Sequence, residues 1–174
     1  MFKLITKTIA AVAIVSVTLF GSANAKTLKI ETHFTASSPN GEVAAQFAKN
    51  VEMFSGGSLK IEMFYSSSVT GKSAEVFNSA QTGIIDCDMT GAGYQTGKNA
   101  AFQFAGDVMG GYDNPYQQYD FLKFPGAQEA VDALYNKYGM TLIGWWIPGH
   151  ESLISSKPIP DVASIKDFKF RSPP

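Results

Sequence analysis

Cysteine is nearly absent: Cys87 is the only one in 174 residues. No disulfide can form within the chain, which excludes a small oxidised fold held by bridges. Histidine is almost as scarce, with only His33 and His150. Neither sits in a recognisable catalytic motif, no G-x-S-x-G elbow occurs, and no His/Cys spacing suits zinc. Basic residues do not outnumber acidic ones, at 14 Lys and Arg against 15 Asp and Glu. That balance leaves no footprint for nucleic acid and no polybasic membrane segment. Internal repeats and low-complexity segments are also missing.

What is present begins with an export pattern. Lys3 and Lys7 give a positive start, and no acidic residue precedes Glu31. Residues 9–20 form an apolar run interrupted only by Ser16 and Thr18, shorter than the ~18 residues of a membrane span. Gly21 follows, and Ala23-Asn24-Ala25 offers the small residues that a signal peptidase accepts. Residues 1–25 therefore read as a cleavable leader. Lys3 and Lys7 leave with it, so the remainder carries 12 basic against 15 acidic residues, a charge of −3.

Strand and helix signals then alternate. Residues 27–33 (TLKIETH) have a period of two, with Leu28, Ile30 and Thr32 set against Lys29 and Glu31. Ser38-Pro39 reads as a helix cap followed by proline at the first position. Val43, Ala44, Phe47, Val51 and Phe54 share a helical face, and Gly56-Gly57 ends the helix. Residues 59–64 form a second strand and residues 65–71 a polar loop. Ser73 is expected to cap a helix through Val76, Phe77 and Ala80 that Gly83 ends. A third strand is expected over 84–90. This β-α-β-α-β order favours a parallel sheet with helices on its faces. Residues 100–111 give no clear signal. Asn114-Pro115-Tyr116-Gln117 reads as a capping box opening a short helix to Phe124, and a helix over 126–138 follows, stopped by Gly139. Strands are expected over 140–147, 151–156 and 168–171, and the last runs straight into Pro173-Pro174.

Candidate chemistry is sparse. Cys87 lies on the strand face of Ile85 and Met89, where a small buried hydrophobe is the ordinary outcome. Asp86 and Asp88 share the other face. Carboxylates can hold a hard cation, but aspartate at a strand end more often caps a turn. Trp145 and Trp146 are adjacent, so they face opposite sides. Either one ring packs inside while the other lines a cleft, or both cover buried faces. Arg171 would end a strand, where open α/β sheets bind ligands, and its guanidinium matches a carboxylate. On position alone a surface arginine is the favoured reading.

Three stretches carry a family resemblance. TLKIETHFTASSPNGEVAAQFAKNVEMFSGGSLKIEMFYSSSVTG is similar to the first strand, first helix, Ser-Gly-Gly stop and second strand of the periplasmic binding subunits of TRAP transporters, the DctP-type family. KSAEVFNSAQTGIIDCDMT resembles its Glu-containing helix with Gly-x-x-Asp. YNKYGMTLIGWWIPGHESLISSKPIPDVASIKDFKFRSPP resembles its Gly-aromatic strand, Ser-x-Lys-Pro-Ile and Lys-x-Arg-x-Pro segments. The departures at residues 145–151, at Phe124-Pro125-Gly126 and before Asn114 lean towards the 2-oxo acid or mannitol/chloroaromatic branch.

The resemblance implies an α/β fold: a periplasmic-binding-protein-like lobe, with a mixed or parallel sheet flanked by helices and a second lobe largely missing. Residues 26–150 would form the first lobe and 151–174 the crossover into the incomplete second, in an N-terminal fragment of a longer protein. It implies a periplasmic, non-enzymatic protein with no catalytic residues, which captures a small carboxylate and passes it to TRAP membrane permease subunits. A sensor subunit for a membrane receptor, or a secreted enzyme fragment, is the alternative. Arg171 is the implied carboxylate anchor, with further ligand contacts from His33 or Thr32, Glu75, Gly91 to Tyr94, and Trp146. No cofactor is required by the resemblance, although some members bridge the ligand carboxylate with a cation (sodium or calcium).

Overall fold

The computed structural model describes residues 25–106, 108, 110–147 and 152–171. The expected leader, apart from Ala25, lies outside the described residues, as do His150, Glu151 and Pro173. Three strands, β1 (Lys26–Thr32), β2 (Leu59–Phe64) and β3 (Cys87–Met89), form a parallel sheet in the order β2-β1-β3. The central strand is therefore β1. Its pairing runs from Lys26 opposite Leu59 to Glu31 opposite Phe64 on one side, and from Ile30 opposite Cys87 to Thr32 opposite Met89 on the other.

Between β1 and β2 runs helix α1 (Pro39–Phe54), which packs against β2. Ser38 caps it as its sequence suggests, with the hydroxyl oxygen accepting from the Gly41 N–H at 3.1 Å. Ala44 is buried on its inner face and Phe47 and Val51 are half-buried, whereas Val43 and Phe54 are exposed. The expected apolar stripe is thus narrower than the sequence implies. Gly57 ends the helix at φ +80°, its N–H donating to the Glu52 carbonyl at 2.9 Å; that left-handed conformation suits glycine.

Helix α2 (Val76–Gln81) follows a single 3-10 turn at Ser73–Glu75. Ser73 does not cap it; its hydroxyl lies 3.4 Å from that of Ser67. The third strand is shorter than expected. The N–H groups of Ile84 and Ile85 both turn back to the Ser79 carbonyl, which keeps them out of the ladder. Asp86 makes the transition, donating its N–H to the Lys29 carbonyl and accepting the Lys29 N–H on Oδ2 at 2.8 Å.

The stretch without a clear signal forms a 3-10 turn at Ala100–Ala105 that buries Phe102. Helix α3 (Pro115–Lys123) is capped by Asn114, whose Oδ1 accepts from the N–H groups of Tyr116 and Gln117. The capping box closes one residue early, because Gln117 Oε1 accepts from the Asp113 N–H. Helix α4 (Pro125–Asn136) starts immediately, with Phe124 ending one helix and leading into the next. Pro125 favours extended backbone at Phe124, which sets this corner.

The core forms where α2, α4 and the Phe102 turn meet. Phe77, Ala92, Phe102, Ala105, Val131 and Leu134 are buried there, with Tyr135, Tyr138, Met140, Leu142 and Trp145 packed around them. Phe77 and Phe102 meet edge to face at 5.8 Å, and Tyr135 stands on Phe102 at 5.3 Å. Pairs of this geometry add about 0.5–1.5 kcal/mol beyond area burial.

The three later strands are not found. Residues 140–147, 152–156 and 168–171 pair with no strand among the described residues. A period-two pattern makes a strand only when a neighbouring backbone accepts its hydrogen bonds. Part of the alternation survives without a ladder: Met140 and Leu142 pack on the core, while Thr141 and Ile143 are exposed.

Candidate ligand site

At the C-terminal end of β1 the chain turns through His33 and Phe34, whose ring centroids lie 3.8 Å apart. Tyr94 approaches His33 edge-on at 5.3 Å from the 3-10 turn at Ala92–Gln95, just after β3. That turn is tied down by buried Gln95, whose Nε2 donates to the Ala74 carbonyl. From the segment after α4, Trp146 reaches Phe34 at 4.3 Å and His33 at 6.2 Å, both edge to face. Three separate regions of the chain thus meet at the strand ends, the position at which open parallel sheets place ligands. Trp145 faces the other way and packs on the core, with the Lys123 ammonium 5.7 Å from its ring. Of the two arrangements open for the tryptophan pair, the structure has one ring inside and the other at the strand ends.

Beneath these rings lies a layer of enclosed polar groups. Glu31 is fully buried, and its Oε1 accepts from the N–H groups of Val69 at 2.6 Å and Thr70 at 3.3 Å. Those bonds draw the 65–71 loop over the end of β1, assisted by N–H donation from Ser66 to the Phe34 carbonyl and from Ser67 to the Thr32 carbonyl. Ser66 and Ser67 hold positive φ values of 57° and 50° there, a conformation uncommon outside glycine. Glu31 Oε2, Asp88 Oδ1, Thr90 Oγ1 and His33 Nδ1 are buried without a partner among the described residues.

Burial sets the electrostatics of this layer. It lowers the pKa of His33, favouring the neutral ring. It raises that of Asp88 to about 6, with the charge of Glu31 adding and contacts from Thr90 opposing. The Cys87 thiol is pushed up by burial, then by Asp86 and Asp88, which is the opposite of what a nucleophilic thiolate needs.

His33, Tyr94 and Trp146 are therefore brought together, and Thr32 lies buried directly behind them. Glu75 and Arg171 are not joined to the cluster by any contact among the described residues. Glu75 is exposed and accepts from Asn78 Nδ2 at 2.8 Å. Arg171 is exposed on a segment without strand pairing, which corrects the expected strand beneath it. Phe34 carries no motif and escapes sequence reasoning, although a histidine-aromatic pair closing a strand is a usable signal. Glu31 escapes for another reason. A central strand covered on both faces buries both of its side-chain rows, so alternation does not predict exposure there. Asp86 is spent on the Lys29 N–H of the neighbouring strand β1, which is neither a turn cap nor a cation contact. Among the described residues no three His, Cys, Asp or Glu side chains converge as a metal site.

The sequence profile described as bacterial extracellular solute-binding protein, family 7 (DctP) matches residues 30–174. A TRAP periplasmic solute binding protein from Rhodobacter sphaeroides, solved in an apo open form, is 30% identical with a TM-score of 0.68, over 84% of this chain and 46% of that one. One from Pseudoalteromonas atlantica with bound sodium and pyruvate is 20% identical with a TM-score of 0.61, over 67% and 35%. A Bordetella pertussis extracytoplasmic solute receptor binding pyroglutamic acid is 22% identical with a TM-score of 0.57, over 68% and 38%. The last two likenesses are of fold. The chain spans less than half the length of each of these proteins. The parallel sheet flanked by helices is accordingly a periplasmic-binding-protein-like lobe. With the profile covering most of the sequence and a 30% identical relative matching most of the lobe, this chain belongs to the DctP family of bacterial extracellular solute-binding proteins.

Proposed function

We propose that the chain is part of an exported protein that captures a small organic acid outside the cytoplasm and hands it to a TRAP-type membrane permease. The observation that carries this reading is the convergence of His33, Phe34, Tyr94 and Trp146 at the strand ends, in a member of a solute-binding family. Residues 1–25 serve as the cleavable signal peptide, 26–150 as the first lobe and 151–174 as the crossover into a second. In that arrangement the ring cluster forms one wall of the cleft, Glu75 lies along its rim, and Arg171 pairs two-pronged with the ligand carboxylate. Closure of the lobes desolvates that pair and strengthens it. No bond is broken, and the energy for uptake belongs to the permease.

The ligand leans towards a 2-oxo acid. The sequence departures around residues 145–151 support that, as does the pyruvate bound by the Pseudoalteromonas protein. Among the described residues no three His, Cys, Asp or Glu side chains gather where a bridging cation could sit. Arg171→Ala in the complete protein tests the anchor. Losing one partner of a buried charge pair is expected to weaken carboxylate binding by about 2–5 kcal/mol. Binding equal to the parent, measured by calorimetry, removes Arg171 from the site.

A further inference from the structure

The parallel register sets Glu31 of β1 directly opposite Asp88 of β3. Their side chains leave neighbouring strands, about 4.8 Å apart, on the same face of the sheet. Glu31 is fully enclosed, and one oxygen of each carboxyl is buried without a partner. The groups facing the pair offer no counter-charge. Just beyond the end of β1 there is the neutral-favouring ring of His33, and from the 65–71 loop only the Val69 and Thr70 N–H groups. Asp86, on the approach to β3, is committed to the Lys29 N–H, and Thr90 beyond the strand is uncharged. Cys87 and Tyr135 feel the negative charge of Asp88 and add none that is positive. No lysine or arginine of the described residues bonds to either carboxyl.

Two carboxyls this close, one fully enclosed and the other half-buried with one oxygen out of reach of water, do not both ionise cheaply, and one proton removes the conflict. We propose that Glu31 and Asp88 form a proton-binding site, with one proton carried on Asp88 Oδ1 and donated to Glu31 Oε2. That single bond satisfies both orphaned oxygens. It also leaves Glu31 Oε1 free to keep the Val69 and Thr70 N–H groups, and with them the 65–71 loop. The proton is taken from solvent and returned to it.

The elevation of Asp88 to about 6 agrees with this placement. An unfolded aspartic acid releases its proton near 3.8, whereas the folded one holds it to about 6. The stabilisation is therefore complete below the unfolded value and is lost as pH rises through the folded one. Release of the proton adds a negative charge beside Glu31, two residues before His33 along the chain.

The test is a carboxyl carbon NMR titration of the complete, ligand-free protein labelled at aspartate Cγ, so its outcome is independent of whether any carboxylate binds. One resonance is expected to titrate near 6, to be absent in Asp88→Asn, and to move to lower pH in Glu31→Gln. The side-chain amide introduced by Asp88→Asn would still donate to Glu31, and if that variant fails to fold the Glu31→Gln shift carries the test alone. Aspartates that all titrate in their ordinary range, or an elevated midpoint that Glu31→Gln leaves unmoved, overturn the proposal.

Discussion

Single residues at the end of β1 decide how the candidate site is built. Gly41 shows how little room they have. A β-carbon there would overlap the Thr35 carbonyl oxygen and lie 2.9 Å from its carbon, so the backbone leading from β1 into α1 would have to move. Gly41→Ala is expected to lower unfolding stability by about 1–3 kcal/mol, as overpacking does, and urea denaturation measures it. A neutral result would mean that the 35–41 turn yields. The rings above are held by geometry, not by hydrogen bonds: His33 Nδ1 has no partner among the described residues, and Phe34 and Trp146 meet through faces and edges. Trp146 is legible as a candidate from the residues themselves, and His33 and Tyr94 only through the family resemblance. Their meeting is not, because residues 33, 94 and 146 are joined only by the folded sheet.

At the scale of elements, local chemistry is legible wherever the backbone satisfies itself. Ser38 with Pro39, and Asn114 with Pro115, fix helix starts through nearby donors, and both caps form. Ser38→Ala removes the acceptor for the Gly41 N–H and is expected to cost about 1 kcal/mol. Asn114→Ala should cost a similar amount, since Asn114 Oδ1 holds two N–H groups. Denaturant midpoints check both, and unchanged midpoints would mean that water replaces the caps without loss. Strands are less legible because their partners lie elsewhere. Residues 59–64 find β1 and become β2, whereas the equally alternating residues 140–147 find no neighbour among the described residues. Residues 84–90 fall between these cases. The carbonyl of Ser79 captures Ile84 and Ile85, and only Cys87–Met89 remains to pair.

For the whole molecule, the described residues form a three-stranded parallel lobe with its core on one flank and a tail of unpaired chain. Leu153, Ile154 and Val162 in that tail are 65%, 92% and 83% exposed. That exposure is compatible with the proposed crossover into a second lobe. The fold class is legible because β-α-β order forces a parallel sheet. The proposed Arg171 anchor is legible only through family resemblance, since its burial would depend on closure of two lobes around a ligand.

Capture of a carboxylate can be tested on the folded protein itself. A thermal-shift comparison on the complete protein, pairing small organic acids, 2-oxo acids first, with their neutral amides, tests it most directly. A ligand that binds only the folded state raises the melting temperature in proportion to its affinity and concentration. At least one acid is expected to raise it, and the matching amide is not. Equal shifts for acid and amide, or none across the whole series, would contradict it.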